Sequence, residues 1–95
     1  MRLKWLSKAR ADLISIHGYI QTYNPAAAER ISKEITRAAL RLKTFPQLGR
    51  PSDQLGVRLM QVPRLPYLLP YRVSGNVIEI LAVFDERRER PEEWT

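Results

Sequence analysis

The chain has no cysteine and a single histidine among its 95 residues, and its four glycines stand apart from one another. Without cysteine there is no disulfide framework, no thiolate zinc site and no thiol nucleophile, and one imidazole leaves any protein metal centre to be built almost wholly from carboxylates. Isolated glycines cannot form the Gly-rich loops that cradle phosphate in P-loop or dinucleotide-binding folds. No apolar run approaches the ~20 residues that span a bilayer. The charged opening Met1-Arg2-Leu3-Lys4-Trp5 is also unlike a secretory leader, so the expected location is the cytoplasm. A chain of this length buries only roughly 60–65% of the surface its unfolded form exposes, which leads us to expect one modest core and one domain over residues 1–95. No cofactor is implied.

What the chain has is positive charge, unevenly placed. Sixteen Lys and Arg oppose ten Asp and Glu, for a formal net charge of +6. Residues 1–75 carry 13 cations and 4 anions, a balance of +9, whereas residues 76–95 carry 3 and 6, a balance of −3. A basic body favours an acidic partner, either nucleic acid or an acidic protein. Twelve of the sixteen cations are arginine, whose planar fork pairs bidentately with carboxylate or phosphate.

Apolar spacing predicts the elements. Arg2 to Leu6 alternates as a short strand, and Ser7 offers an N-cap to a helix whose stripe runs Ala9, Leu13, Ile16, Ile20 and Tyr23. Asn24-Pro25 ends that pattern and caps a second helix with the stripe Ala28, Ile31, Ile35, Ala38, Leu42 and Phe45. The connection is so short that the pair should form an antiparallel hairpin. After turn chemistry at residues 46–53, strands are expected at Val57 to Val62, Tyr67 to Val73 and Val77 to Phe84, with a hairpin turn at Ser74-Gly75-Asn76. Pro70 lacks a ladder donor and so requires an edge, a bulge or a bend. Asp85 to Thr95 reads as a turn or tail. The resulting fold class is α+β in the order β-α-α-β-β-β, with a helix hairpin on one face of a small, twisted, antiparallel-rich sheet.

Few residues offer chemistry. His17 is the natural general acid or base, yet no carboxylate stands at i±3 or i±4 to orient it, which favours a structural or solvent-facing role. The serines lack a nucleophile-elbow setting. Asp85, Glu86, Glu89, Glu92 and Glu93 are hard oxygen donors, but they alternate with Arg87, Arg88 and Arg90 as a self-paired surface run does. Arg50, Arg58, Arg64 and Arg72 near Tyr67 and Tyr71 have the basic and aromatic character of single-strand nucleic-acid grooves, although alternation places Arg58 and Arg72 on outward strand faces where arginine also serves solubility.

An ordered set of residues is more telling. Trp5, Ala9, Asp12-Leu13, Ile16, Tyr19-Ile20, Asn24-Pro25-Ala26-Ala27, Pro46, Gly49-Arg50-Pro51, Gly56-Val57-Arg58, Pro70-Tyr71-Arg72-Val73, Ile78 to Val83, and the closing Arg87, Pro91 and Trp94 resemble the ParE branch of the RelE/ParE toxins of bacterial type II toxin–antitoxin modules. The resemblance spans nearly the whole chain. It implies a helix hairpin against a small twisted sheet, in agreement with the spacing, and a hetero-oligomer with a cognate acidic, ParD-like antitoxin. Such an antitoxin carries a DNA-binding dimerisation domain and a disordered segment that folds on the toxin. Arg37 and Arg41 of the second helix, with Arg50, Arg58 and Arg72, are the residues we expect to meet its carboxylates.

The superfamily has two kinds of target. ParE-like members bind DNA gyrase and stall it without chemistry of their own, whereas RelE-like members cut messenger RNA on the ribosome. RNA cleavage needs side chains that move protons and stabilise a phosphorane. Many relatives place a histidine directly after the last strand, where this chain has Asp85, and no tyrosine follows Tyr71. An ionised Asp85 repels phosphate, and a terminal segment at −3 suits ribosomal RNA poorly. The resemblance therefore implies a non-enzymatic gyrase inhibitor that needs no direct, specific nucleic-acid contact of its own. The alternatives are a ribosome-dependent endonuclease and a member that has lost or changed its target. Toxicity is expected in the C-terminal stretch around Arg87, Arg88, Pro91 and Trp94, because a tryptophan amid charge is a common anchor.

Overall fold

The computed structural model describes residues 1–95. The elements run β1 (Arg2–Trp5), α1 (Ser7–Tyr23), α2 (Pro25–Thr44), β2 (Arg50–Pro51), β3 (Arg58–Gln61), β4 (Tyr67–Ser74), β5 (Val77–Ile80) and β6 (Phe84–Asp85). The sheet is mixed. Its order is β1-β5-β4-β3-β2, β6 also pairs with β4, and β1 alone runs parallel to its neighbour. The α+β architecture with a helix hairpin on one face is as the spacing indicates; the strand expected over Val77 to Phe84 is split into β5 and β6, and β2 forms inside the expected turn at residues 46–53.

The junction between the helices follows the predicted chemistry. Asn24 accepts from the Ala27 amide through Oδ1 at 3.1 Å, and Pro25 takes the first helical position, where its missing N–H costs nothing. At the start of α1 the expected Ser7 cap is absent. Leu6 is the N-cap and no side chain caps the helix, because the Leu6 amide still donates to the Ile80 carbonyl and the chain passes directly from sheet to helix. The end of α2 also departs from its stripe: Phe45 lies past the last helical residue and is 57% exposed.

One face of the sheet receives the helices. Ile35, Ala38, Ala39 and Leu42 of α2, with Ala9 of α1, pack on Met60, Val62, Tyr67, Leu69, Tyr71, Ile78 and Ile80. Small residues on α2 let it lie close to the sheet, while α1 rides on its flank and buries only Ala9 fully. Burying apolar surface contributes about 25 cal/mol per Å², so α2 is the principal lid of this core.

The opposite face is also covered. Leu59, Leu68 and Leu81 are at most 2% exposed, yet stand outside the helix-side cluster. Phe84 lies cross-strand from Leu68 and so shares its face. The Trp94 ring meets Phe84 edge-on with centroids 5.0 Å apart, which folds the end of the chain back over the sheet.

Between β5 and β6 the ladder slips by one residue, from Tyr71 opposite Ile80 to Leu68 opposite Phe84. That is a bulge opposite Pro70. The Leu81 amide donates to the Pro70 carbonyl at 2.8 Å, and the bulge removes any need for the N–H that Pro70 lacks. The β4–β5 hairpin closes through Gly75-Asn76, with Gly75 at φ +59°, which suits a glycine-first two-residue turn.

Candidate functional site

The five arginines nominated for a partner do not share one surface. Arg37 and Arg41 lie on the exposed flank of α2, where Arg37 Nη1 donates to Glu34 Oε1 at 2.9 Å and Arg41 makes no side-chain hydrogen bond. Arg41 sits in the last turn, so its charge is favourably placed at the negative end of the helix. Arg50 is exposed on the edge strand β2, cross-strand from Leu59, and so belongs to the face away from the helices.

The expectation that Arg58 and Arg72 both point outward is corrected by the register. Arg58 is paired with Tyr71 and shares its helix-side face, whereas Arg72 is paired with Glu79 on the other. Alternation fixes faces within one strand; it does not relate one strand to the next. Arg72 Nε donates to Glu79 Oε1 at 2.7 Å. Arg58 Nη1 donates to the Gly49 carbonyl at 2.7 Å.

Arg58 belongs to a small hub that pins the Pro46–Arg50 loop. The buried Gly49 amide donates to Tyr71 Oη at 2.9 Å, and that hydroxyl donates to the Pro46 carbonyl at 2.8 Å. A Cβ on Gly49 would lie 2.6 Å from Tyr71 Cε1 and 2.9 Å from the Leu59 carbonyl oxygen, so glycine is required by space. Burial pushes the Tyr71 hydroxyl above its ordinary pKa, against the Gly49 hydrogen bond and the Arg58 charge, which lower it.

The C-terminal residues nominated for a target are ordered by a turn. Asp85 takes Arg87 in a fork, Arg87 Nε to Oδ1 at 2.9 Å and Nη2 to Oδ2 at 2.7 Å, and also accepts the Arg87 amide. These contacts hold the Asp85 carboxyl below the usual carboxylate range. Asp85, together with burial as the larger cause, raises the pKa of Tyr67, its cross-strand partner. Arg88 and Pro91 are exposed. Trp94 is not the exposed aromatic that its charged surroundings suggest: it is partly buried on Phe84, and its amide donates to Gln54 Oε1 at 2.7 Å.

His17 has a carboxylate after all, from the other helix: Nε2 lies 3.1 Å from Glu29 Oε1. Helical spacing within α1 could not reveal this. No three His, Asp or Glu side chains converge as metal ligands would, and no helix is long and apolar enough to cross a membrane. Asp12 and Gln54 were missed as organising residues, because each acts on a segment far along the chain. The signals for Asp12 were its place on the side of the α1 stripe and its membership of the ordered set of family-like residues.

These features coincide with a known family. A model of the ParE toxin of the type II toxin–antitoxin system parDE matches residues 3–90. The chain belongs to the ParE toxin family. The protein Y4kP of Sinorhizobium fredii is 34% identical over 91 residues, covering 96% of this chain and 94% of that protein. Toxin RelE2 of Caulobacter vibrioides is 33% identical over 79 residues, covering 83% and 88%. Among solved structures, one of a chromosomal ParDE TA system from P. aeruginosa superposes with a TM-score of 0.81 at 35% identity, over 87% of this chain and 92% of that one. This ParE-family chain is therefore a type II toxin–antitoxin toxin, and its two-helix, six-strand architecture is that of the family.

Proposed function

We propose that this ParE-family toxin arrests growth by binding DNA gyrase, performs no chemistry of its own, and is silenced by an acidic antitoxin encoded beside it. The observation that carries the reading is the state of Asp85. At the end of the last strand, where a ribonuclease of this fold needs a group that exchanges protons, the chain has a carboxylate forked onto Arg87 and held below its ordinary pKa. An anion fixed there repels the scissile phosphate and neither accepts nor donates a proton near neutrality. The only imidazole, His17, is engaged with Glu29 on the helix hairpin. The basic body supports an acidic antitoxin, whose carboxylates would meet Arg37, Arg41, Arg50, Arg58 and Arg72 from more than one surface, and the complex acts in the cytoplasm.

The test is a supercoiling assay with purified gyrase, run beside in vitro translation. Inhibited supercoiling with intact message is expected. Cleaved message with normal supercoiling would overturn the gyrase reading in favour of a ribosome-dependent endonuclease, and no effect in either assay would mark a member acting only through its antitoxin.

A further inference from the structure

Beside the hub, the sheet has an unfinished edge. β4 outruns β3: their pairing stops at Arg58 opposite Tyr71, while β4 continues through Ser74. The two-residue turn makes Ser74 and Val77 a hydrogen-bonded pair, so in antiparallel alternation Arg72 bonds toward β5 and Val73 points its N–H and C=O the other way. The residue that would receive them is Gly56, but at φ +81° it turns the chain aside, and no backbone hydrogen bond joins Val73 to the Gln54–Val57 turn. The gap is an open groove of about 420 Å³, walled by Leu55, Val57, Arg58, Tyr71, Arg72 and Val73, with no Asp or Glu in its lining. Leu55 at its rim is 100% exposed and Val73 is 46% exposed.

We propose that this notch receives a short extended segment of the antitoxin, laid down as the missing continuation of β3, with a carboxylate beside an apolar residue. The proposal rests on the antitoxin-partnered reading above and adds the place and register of the contact. An unpaired strand edge selects an extended backbone. Val57 already holds the position opposite Arg72, so alternation divides the incoming side chains one step on: the residue opposite Val73 falls on the helix side with Arg58, and the next, opposite Ser74, falls on the Arg72 side of the sheet. Arg72 spends only Nε on Glu79, and Arg58 only Nη1 on Gly49, which leaves further guanidinium donors of each for an incoming carboxylate. Val73 and Leu55 offer apolar contact on either side of it.

The probe is a fluorescein-labelled peptide alternating Asp and Val, titrated into the purified chain by anisotropy, with amide exchange followed in parallel. Saturable binding is expected, with the Val73 amide exchanging freely in the free chain and protected on binding. Leu55→Asp, at a fully exposed position that leaves folding intact, should weaken binding about tenfold, and N-methylation of alternate peptide amides should abolish it. Lys33→Glu, at an exposed position of α2, should leave it unchanged. Equal affinity for a Lys-Val peptide, unchanged exchange at Val73, loss of binding in Lys33→Glu rather than Leu55→Asp, or displacement of the peptide by a single-stranded oligonucleotide would each overturn the notch. Growth inhibition by the chain is scored separately: a harmless chain that binds the peptide as described removes the toxin mechanism and keeps the notch, and a toxic chain indifferent to the peptide removes the notch alone.

Discussion

The Asp12 carboxylate reaches from α1 to the bulge between β5 and β6, where Oδ2 accepts the Val83 amide at 3.0 Å. Bulges leave an amide without a ladder partner, and Val83 is 5% exposed, so water cannot readily serve it. Removing the acceptor leaves a buried donor unsatisfied, at a cost of about 1–3 kcal/mol. Asp12→Ala should lose that much stability in urea denaturation, and Asp12→Asn, which keeps an acceptor, should recover most of it. Lys8 also pairs with Asp12 at 3.0 Å, but its side chain is 67% exposed. Lys8→Ala should therefore fall within about 0.5 kcal/mol of the parent; a larger loss would mean that the ion pair, rather than the Val83 amide, explains Asp12.

The Tyr71 hub gives a second stability test. Tyr71→Phe leaves the Gly49 amide unpaired and should cost about 1–3 kcal/mol, while Gly49→Ala forces a Cβ against Tyr71 Cε1 at 2.6 Å and the Leu59 carbonyl at 2.9 Å. Both changes break the same packing, so the double variant should be clearly less damaging than the added single effects. Additive losses in a double-mutant cycle would show that the loop and the tyrosine are held independently.

The parts of the fold that read directly from sequence are those set by local chemistry. The stripe of α2 and the Asn24-Pro25 junction depend on neighbours within a turn, and Pro70 signals an edge, a bulge or a bend because a missing donor is a property of one residue; the register makes it a bulge. Ser7 misled because a cap depends on where the preceding strand lets go, and Leu6 is still bonded to Ile80. The faces of Arg58 and Arg72 depended on inter-strand register, the His17–Glu29 contact on helix packing, and Gln54 on a chain end 40 residues away. Charge composition pointed to an acidic partner, yet it could not show that the nominated arginines divide among three surfaces.

Titration should affect the two ends of the pH scale differently. Asp85 has its pKa lowered from 3.8 by Arg87, so its contribution is present above that ordinary value and is lost as pH falls through the depressed one. Tyr71 and Tyr67 have theirs raised from 10.0, chiefly by burial. Their neutral forms support the fold below pH 10.0, and that support is lost as pH rises through the raised values. Asp85→Asn should flatten the acid limb of a Tm-against-pH curve and leave the alkaline limb in place, and Tyr71→Phe should do the reverse. The same limb flattened by both would refute the assignment.

The tail requires a test that separates holding from acting. Deleting residues 86–95 would remove Trp94 from Phe84 and expose the face that carries Leu59 and Leu68, so lost toxicity in that truncation would be uninformative. Gln54 supplies a finer lever, since its carboxamide accepts from the Trp94 amide and donates to Thr95 Oγ1 at 3.1 Å. Gln54→Ala should speed tryptic cleavage after Arg87 and Arg88 with little change in global stability, because these bonds are local to the C-terminal tail. Arg88 is exposed and its side chain makes no hydrogen bond, so Arg88→Glu should leave melting and the rate of cleavage after Arg87 as they are, removing only its own site. If the exposed side of the tail engages the target, Arg88→Glu should abolish growth inhibition, while Gln54→Ala only alters its potency. Full toxicity in Arg88→Glu combined with reduced toxicity in Gln54→Ala would assign the tail a purely structural role as the cover of the second sheet face.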